Sequence, residues 1–364
     1  RTIESALELD YPKDKYEIII VNDGSTDNTY EIAKKYLSKN APTVRVLTKK
    51  NGGKSSALNL GINNSTSDII LTMDADTFAQ KDALKKMIGY FYDEKIMSVI
   101  PSIGIYQPRS IWQRIQHIEY YLGVFSKKSF ASVNSITVTP GAFSAYRREF
   151  FVKYGGYNEK TLSEDLEIAL RIQSHDYLIE SAPDAVVYTV APNTFKELVV
   201  QRRRWYSGLV KNLWAYRKLF GPSNGVLGTI TLPFQVISII FGVSLTILLT
   251  IRGIIKVKTI LLSLNAINFR FQDITEINQF VISHFFLTLI SEPAFVFTAL
   301  FSAAFLFYLY FSKKHIKFKE SVKLNLLLFM TIYSFLFTFW WIISAIYVIF
   351  NKKITWREIE NEVN

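Results

Sequence analysis

The strongest constraint on this chain is a change of character near residue 222. Beyond it come three long apolar tracts: "LGTITLPFQVISIIFGVSLTILLTI" (227–251), "FVISHFFLTLISEPAFVFTALFSAAFLFYLYF" (280–311) and "LNLLLFMTIYSFLFTFWWIISAIYVIF" (324–350). Each reaches the roughly 20 apolar residues that a helix needs to cross a bilayer. In hydrocarbon the backbone must satisfy its own polar groups, which leaves a lone segment the helix. The second tract exceeds one crossing and contains Glu292-Pro293, so it is either a tilted span with an interfacial start or a kinked one. Residues 1–222 carry ordinary charged, turn-rich sequence. Two parts are expected: a water-facing domain at 1–222 and a transmembrane region at 223–364 with about three spans. The averages fit a split chain, since a mean hydropathy of +0.15 is high for a soluble protein and low for an embedded one.

The net charge of +11 raises the question of nucleic acid. No zinc-finger, homeodomain or RNA-recognition signature is present, and much of the excess charge flanks apolar tracts, which points to membrane topology and to no nucleic-acid partner. The linker "SKKHIKFKESVK" is strongly basic and is expected on the cytoplasmic side, which places 1–222 there as well. With no cysteine there is neither a disulfide framework nor a thiolate metal site. His117, His175, His284 and His315 are too far apart to form a local pair of ligands. The chain opens at Arg1 in what reads as mid-helix, "RTIESALELDYP", so it is expected to lack an upstream segment.

Within 1–222 strands alternate with helices. "YEIIIV" (16–21), "TVRVLT" (43–48), "DIILTMDADT" and "MSVIPSIGIY" read as strands, with helices expected at about 27–39, "KSSALNLGINN" and "KDALKKMIGYFYDE". This alternation predicts an α/β fold with a mostly parallel sheet and flanking helices. Ligands then bind at the carboxyl ends of the strands, where "NDGSTD" and "DADT" fall. The segment at about 109–130, "SIWQRIQHIEYYLGVFSKKSF", gathers aromatic and aliphatic residues along one side of a helix. It suits a soluble surface helix, and an interfacial helix lying on the bilayer suits its aromatic load better.

Several acids stand at strand and helix ends. Asp74 and Asp76 lie two apart, so in an extended segment both carboxylates point one way. Two such charges repel unless a cation sits between them, and Mg²⁺ or Mn²⁺ prefers oxygen ligands and bridges to phosphates. Solvated turn residues are the plain alternative. Asp23 ends another strand as a turn residue, a cap or a ligand contact, with Asp27 better placed to cap. Gly52, Gly53 and Lys54 open a helix, where backbone amides and a lysine suit a diphosphate. Glu164 and Asp165 start another helix behind Ser163, a candidate cap; they either favour the helix dipole or supply a carboxylate base. "QRRRWYSG" (201–208) is either a basic collar at a membrane boundary or a ligand grip.

Taken in order, "VNDGSTD", "KNGGKSSALN", "TMDADT", "PGAFSAYRR", "SEDLEIALR" and "QRRRW" resemble the family-2 glycosyltransferases, and more narrowly their processive membrane branch, the cellulose, chitin, hyaluronan and poly-N-acetylglucosamine synthases. The motifs cover about 20–210. The resemblance implies a nucleotide-sugar-binding GT-A-type domain, with the family's first strand and one or two spans in the upstream piece. It implies that Asp23 contacts the nucleotide base, that Lys54 lies near the diphosphate, and that Asp76 with Asp74 holds Mg²⁺ or Mn²⁺. Asp165, beside Glu164, matches the general base. Gly141, Ala142 and Phe143 match the segment shaping the sugar site. Gln201, Arg204 and Trp205 match the Gln-x-x-Arg-Trp signature, whose arginine faces the donor diphosphate and whose tryptophan stacks near the acceptor sugar. Arg202 and Arg203 are left to the collar, facing the membrane.

The expected function is therefore an inverting, membrane-embedded hexosyltransferase that extends a β-linked polysaccharide from a UDP-sugar, UDP-N-acetylglucosamine or UDP-glucose, a reaction to which export of the polymer can be coupled. The expected partners are the nucleotide-sugar donor, the polysaccharide acceptor and the bilayer. The alternatives are a non-processive family-2 enzyme acting on a lipid carrier, and a nucleotide-binding transporter or scaffold, for which Glu292 is the best support.

Overall fold

The apolar run expected at 16–21 forms β1 (Glu17–Asp23), after a short α1 (Thr2–Leu7). The computed structural model describes residues 1–266, 279–291, 293–315, 323–352 and 354. The order continues with α2 (Thr29–Lys34), β2 (Thr43–Lys49), α3 (Lys54–Asn63), β3 (Ile69–Thr72), β4 (Thr77–Ala79), α4 (Ala83–Gly89) and β5 (Ile96–Ile105). Then follow α5 (Ile111–Ser132), β6 (Ser144–Arg147), α6 (Arg148–Tyr154), α7 (Glu164–Ser174), β7 (Leu178–Thr189) and α8 (Phe195–Ala215). The apolar tracts form α9 (Leu232–Ala266), α10 (Gln279–Ser291), α11 (Pro293–His315) and α12 (Lys323–Ile349). α2 is shorter than expected. Asp27 accepts from the Thr29 amide at its start, and Ser38 exchanges backbone hydrogen bonds with Val44, which takes the chain out of the helix.

The strands form two sheets, and the larger is mixed. β1 and β2 pair in parallel, placing Asp23 opposite Lys49. The other sheet has the order β3-β6-β5-β7-β4; only β5 and β7 run parallel, and the other three pairs are antiparallel. The fold class is the expected α/β one, but the mostly parallel sheet gives way to mixed pairing. Strand direction depends on where each connection returns, which βα alternation reveals only for the first strands. β5 is buried along its whole length. Its Pro101, which cannot donate to a ladder, sits at the register shift with β7. β3 and β4 are the two edge strands in this order, and the short connection Met73–Asp76 between them is closed by the Thr77 amide donating to the Asp74 carbonyl at 3.0 Å. Asp74 and Asp76 therefore lie in a turn at the carboxyl end of β3, not in an extended strand as expected.

One core cluster on the sheet gathers Met87, Val99, Phe143, Ala145 and Val187; a second gathers Ile100, Tyr146, Phe150, Ile168 and Ile172. α5 starts at a Ser110–Gln113 capping box and packs against β5, β7 and α12. Its Ile115, Ile118, Tyr121 and Val124 are buried in protein. The apolar side that suggested an interfacial helix thus meets protein.

The described chain divides into two compact units, Arg1–Ile237 with His315–Asn364, and Ser238–Lys314. That division differs from the compositional one at 222/223: α12 packs with α5 and α8 in the first unit. The second unit holds most of α9, with α10 and α11. Among the described residues two helices, Leu227–Ala266 and Leu328–Ile349, are long and apolar enough to cross a membrane. The tract expected as the second span is two helices, and its apolar part, Ala299–Phe311, is shorter. Pro293 opens α11, where a missing N–H costs nothing. Glu292, residues 267–278 and the basic linker residues 316–322 lie outside the described residues.

Candidate active site

The site assembles from the carboxyl ends of β1 and β3 and the amino ends of α3 and α7. Asp23 closes β1, and its carboxylate holds the end of β2 and the glycine loop that follows. Its Oδ1 accepts from Lys49 Nζ at 2.9 Å and from the Gly52 amide at 3.0 Å, and its Oδ2 accepts from the Gly53 amide at 2.8 Å. This carboxylate thereby fixes the turn that presents Lys54 as the first residue of α3.

Lys54 is the electrostatic centre. Its Nζ lies 2.6 Å from Asp74 Oδ1 and 2.9 Å from Glu164 Oε1, joining residues far apart in the chain. Burial would lower the ammonium's pKa, but Asp74, Glu164 and Asp165 outweigh it and hold it above the usual lysine range. Gly141 lies directly over this bridge: a Cβ there would run into Lys54 Nζ and stand 3.2 and 3.3 Å from the Asp74 carboxylate oxygens. Ala142 and Phe143, expected beside Gly141 at the sugar site, are buried in the hydrophobic core. A core position for the aromatic is what burial favours where its backbone neighbours a sheet strand.

α7 begins at Glu164 and Asp165. Ser163 occupies the cap position, yet its side chain makes no capping bond, against expectation. α8 holds this turn instead. Asn212 Nδ2 donates to the Ser163 carbonyl at 3.0 Å, and Asn212 Oδ1 accepts from Thr161 Oγ1 at 3.1 Å. Arg204 Nη1 donates to the Leu162 carbonyl at 3.4 Å. Gly208 permits the approach, because a Cβ there would overlap the Ser163 side chain. From the other side, the Thr139 amide and hydroxyl both donate to the Asp165 carbonyl at 3.0 Å.

The neighbouring acids have opposite proton affinities. Glu164 is 3% exposed; burial pushes its pKa up, but Lys54 and Arg204 bring it below the usual range. Asp165 is pushed up to about 6 by burial and by the Glu164 charge, with Lys54 and Arg204 restraining the rise. Such a split is how one site keeps one carboxylate charged and the other poised to exchange a proton. Asp76 is raised by burial and by Asp74, so the pair is close enough to repel. Its Oδ1 accepts from Thr189 Oγ1 at 3.3 Å.

Of the Gln-x-x-Arg-Trp residues, Arg204 joins this cluster through its charge on Glu164 and Asp165. Gln201, one helical turn earlier, has a buried Oε1 with no hydrogen-bond partner among the described residues. Trp205 lies against Arg202, whose guanidinium carbon is 4.5 Å from the ring centroid. The membrane-facing collar expected of Arg202 and Arg203 is not what forms. Arg202 is 1% exposed and makes a two-pronged ion pair with Glu119 of α5. Arg203 is buried and donates to Tyr347 Oη of α12 at 2.9 Å. A guanidinium stays charged, so burying it demands such partners.

α5 adds two residues that the motifs do not mark. Tyr120 packs on the core and feels the charges of Arg202, Glu119, Asp76 and Asp165. Lys127, seven residues on and so on the same helix face, has its ammonium lowered to about 8 by burial, against an opposing pull from Asp165. The seven-residue spacing was legible, but it reads equally as an amphipathic face.

Among the described residues no group of three or more His, Cys, Asp and Glu gathers as a metal cage. Asp74 and Asp76, two oxygen donors whose charges repel, fit a hard divalent ion that takes its remaining ligands from phosphate and water. Among the described residues the orphaned Gln201 oxygen is an acceptor left for a ligand.

Residues 1–155 match the family described as Glycosyl transferase family 2. Over 210 residues, 57% of this chain and 50% of the relative, the sequence is 33% identical to the poly-beta-1,6-N-acetyl-D-glucosamine synthase of Staphylococcus aureus strain COL. It is 33% identical over 217 residues to the probable glycosyltransferase YdaM of Bacillus subtilis strain 168, covering 51% of that protein. The chain thus spans about half the length of the curated relatives it matches. Among solved structures it is similar to a mannosyltransferase from Pyrobaculum calidifontis in complex with GDP-Man and Mn²⁺, with TM-score 0.56 and 17% identity, over 97% of this chain and 83% of that one. That likeness is one of fold, a GT-A-like domain with a mixed sheet followed by apolar helices.

Proposed function

We propose that this chain, a family-2 glycosyltransferase by its N-terminal 155 residues, transfers a sugar from a UDP-sugar to the end of a growing β-linked polysaccharide, with inversion at the anomeric carbon. The observation that carries this reading is the Asp74–Lys54–Glu164 bridge beside a carboxyl, Asp165, poised to exchange a proton near pH 6.

The acceptor hydroxyl attacks the anomeric carbon as Asp165 takes its proton, and the bond from that carbon to the diphosphate oxygen breaks. The leaving group is the uridine diphosphate, and the electron pair goes with it. Arg204 and Lys54 face its developing charge, where fixed donors in a water-poor site are most effective. A divalent cation, Mg²⁺ or Mn²⁺, held by Asp74 and Asp76 would neutralise the diphosphate when bound. Glu164 keeps its charge, holds Lys54 in place and keeps Asp165 basic enough to accept a proton. No second carboxylate acts as a nucleophile, so a single displacement and an inverted linkage follow. Asp23 holds the loop under the nucleotide, Gln201 offers its free oxygen to the donor, and Trp205 gives the acceptor sugar a stacking face. Gly141, without a side chain, lets the Lys54–Asp74 pair pack against its backbone at the edge of the sugar site.

The name of the Staphylococcus aureus relative supports N-acetylglucosamine as the first donor to try. Leu227–Ala266 and Leu328–Ile349 support a membrane location, with the transferase domain on the cytoplasmic side where nucleotide sugars are made. Membranes containing the chain, incubated with UDP-N-acetylglucosamine, UDP-glucose and other UDP-sugars, should release uridine diphosphate with one of them and yield a polymer on sizing gels. Release with single-sugar products on lipid would replace the polymerase by a carrier-modifying transferase. No release with any donor would end the enzymatic reading.

A further inference from the structure

We propose that Glu119 is a positioning residue for the acceptor platform: its carboxylate locks Arg202, and through Arg202 the indole of Trp205, in register with the membrane-span candidate α12. This rests on the proposed role of Trp205 at the acceptor sugar. Arg202 Nη1 donates to Glu119 Oε1 at 2.7 Å, and Nη2 donates to Oε2 at 2.6 Å, the parallel two-bond geometry that a guanidinium and a carboxylate share. Glu119 Oε1 also accepts from Tyr333 Oη of α12 at 3.2 Å. The same guanidinium lies 4.5 Å from the ring centroid of Trp205 and 5.2 Å from that of Trp340 of α12. One ion pair therefore sets three things at once: the rotamer of Arg202, the contact face of Trp205 and the register of α8 against α12.

Arg202 is fully buried and Glu119 partly so; an ion pair that buries a guanidinium is a poor source of net stability, since desolvation cancels much of its attraction, and its best-attested use is to specify one arrangement among several. An apolar core here would let Trp205 and Trp340 slide past each other. With the pair in place, Trp205 moves only if α5 and α12 move with it. Next to it, Tyr206 stacks on Trp341 at 4.5 Å and 7°, a second contact in the same register.

The test uses the full chain in membranes with Glu119→Gln and with the charge-free pair Glu119→Leu/Arg202→Met. Two readouts apply: product length per uridine diphosphate released, and the ¹⁹F resonances of protein labelled with 5-fluorotryptophan, assigned by Trp→Phe substitution. The Trp205 and Trp340 resonances should shift in both variants while that of Trp214 stays. Donor turnover should persist, and product should shorten roughly tenfold, the factor that about 1.4 kcal/mol of lost platform binding produces. The charge-free pair should melt near wild type and still make short product. Full-length product from that pair would make Glu119 a mere counter-ion and overturn the proposal. Unmoved Trp205 and Trp340 resonances would overturn it too, whether or not the chain is a transferase. Absence of nucleotide release from wild type would refute the proposed function alone.

Discussion

Replacing Lys54 by methionine removes a charge from the middle of three acids while keeping the length and the apolar stem. Lys54 Nζ stands 2.6 Å from Asp74 and 2.9 Å from Glu164. At an effective dielectric of about 20, unit charges about 4 Å apart interact by roughly 4 kcal/mol. At 1.36 kcal/mol per pKa unit, that caps the effect on a direct partner at about 3 units. Asp165 is not bonded to Lys54 and keeps Arg204, so its share is smaller, about 1 unit upward. The sign follows from the role: Asp165 must be ionised to take a proton, so the rate falls as pH drops through its pKa. The acid limb of kcat/KM for the donor, expected at about 6 in the intact chain from the Asp165 carboxyl, should therefore move to about 7 in the variant. The assay is uridine diphosphate release from about pH 5 to about pH 9, with melting curves to show that the variant stays folded. A lower overall rate is expected from the lost diphosphate contact and does not bear on the limb. Glu164→Gln is the mirror, because removing that negative neighbour should move the limb down. A limb that stays put in both variants would show that Asp165 is not the base, or that these charges do not reach it.

Asp165→Asn should retain donor binding and lose about 10²- to 10⁴-fold in turnover, the usual contribution of a general base; single-turnover transfer measured beside donor binding checks it. Asp76→Ala should abolish the dependence of donor binding on added Mg²⁺ or Mn²⁺, read by titration calorimetry with each ion; an unchanged titration would remove Asp76 from the metal site. Gly208→Ala should push the Ser163 turn away from α8, costing roughly 1–3 kcal/mol of stability as overpacking does, and should slow transfer by displacing Glu164 and Asp165. Thermal unfolding and donor turnover read these two effects separately.

Much of the domain could be read without coordinates, because the signals are short-range. Strands at β1, β2, β3 and β5 announce themselves as apolar runs between turn residues, and α3 and α7 lie where the sequence puts them, whereas α4 stops at Gly89, short of the expected 81–94. The acids at strand ends and the Glu164-Asp165 helix start were legible for the same reason. What the sequence determined by itself is this local grammar and the presence of long apolar helices.

The tertiary structure decided everything that depends on who neutralises whom. Lys54 draws Asp74 and Glu164 together from distant parts of the chain, and Asp23 spends its carboxylate on the glycine loop rather than on a free surface. Arg202 and Arg203, which read as a membrane collar, are buried beside Glu119 and Tyr347. Phe143 goes to the core although its neighbour Gly141 lies over the ion bridge. Periodicity and turn chemistry act over a few residues and can be read in one dimension. A buried charge must find its partner wherever the fold brings one within about 3–4 Å, and that distance is not written in the order of the residues.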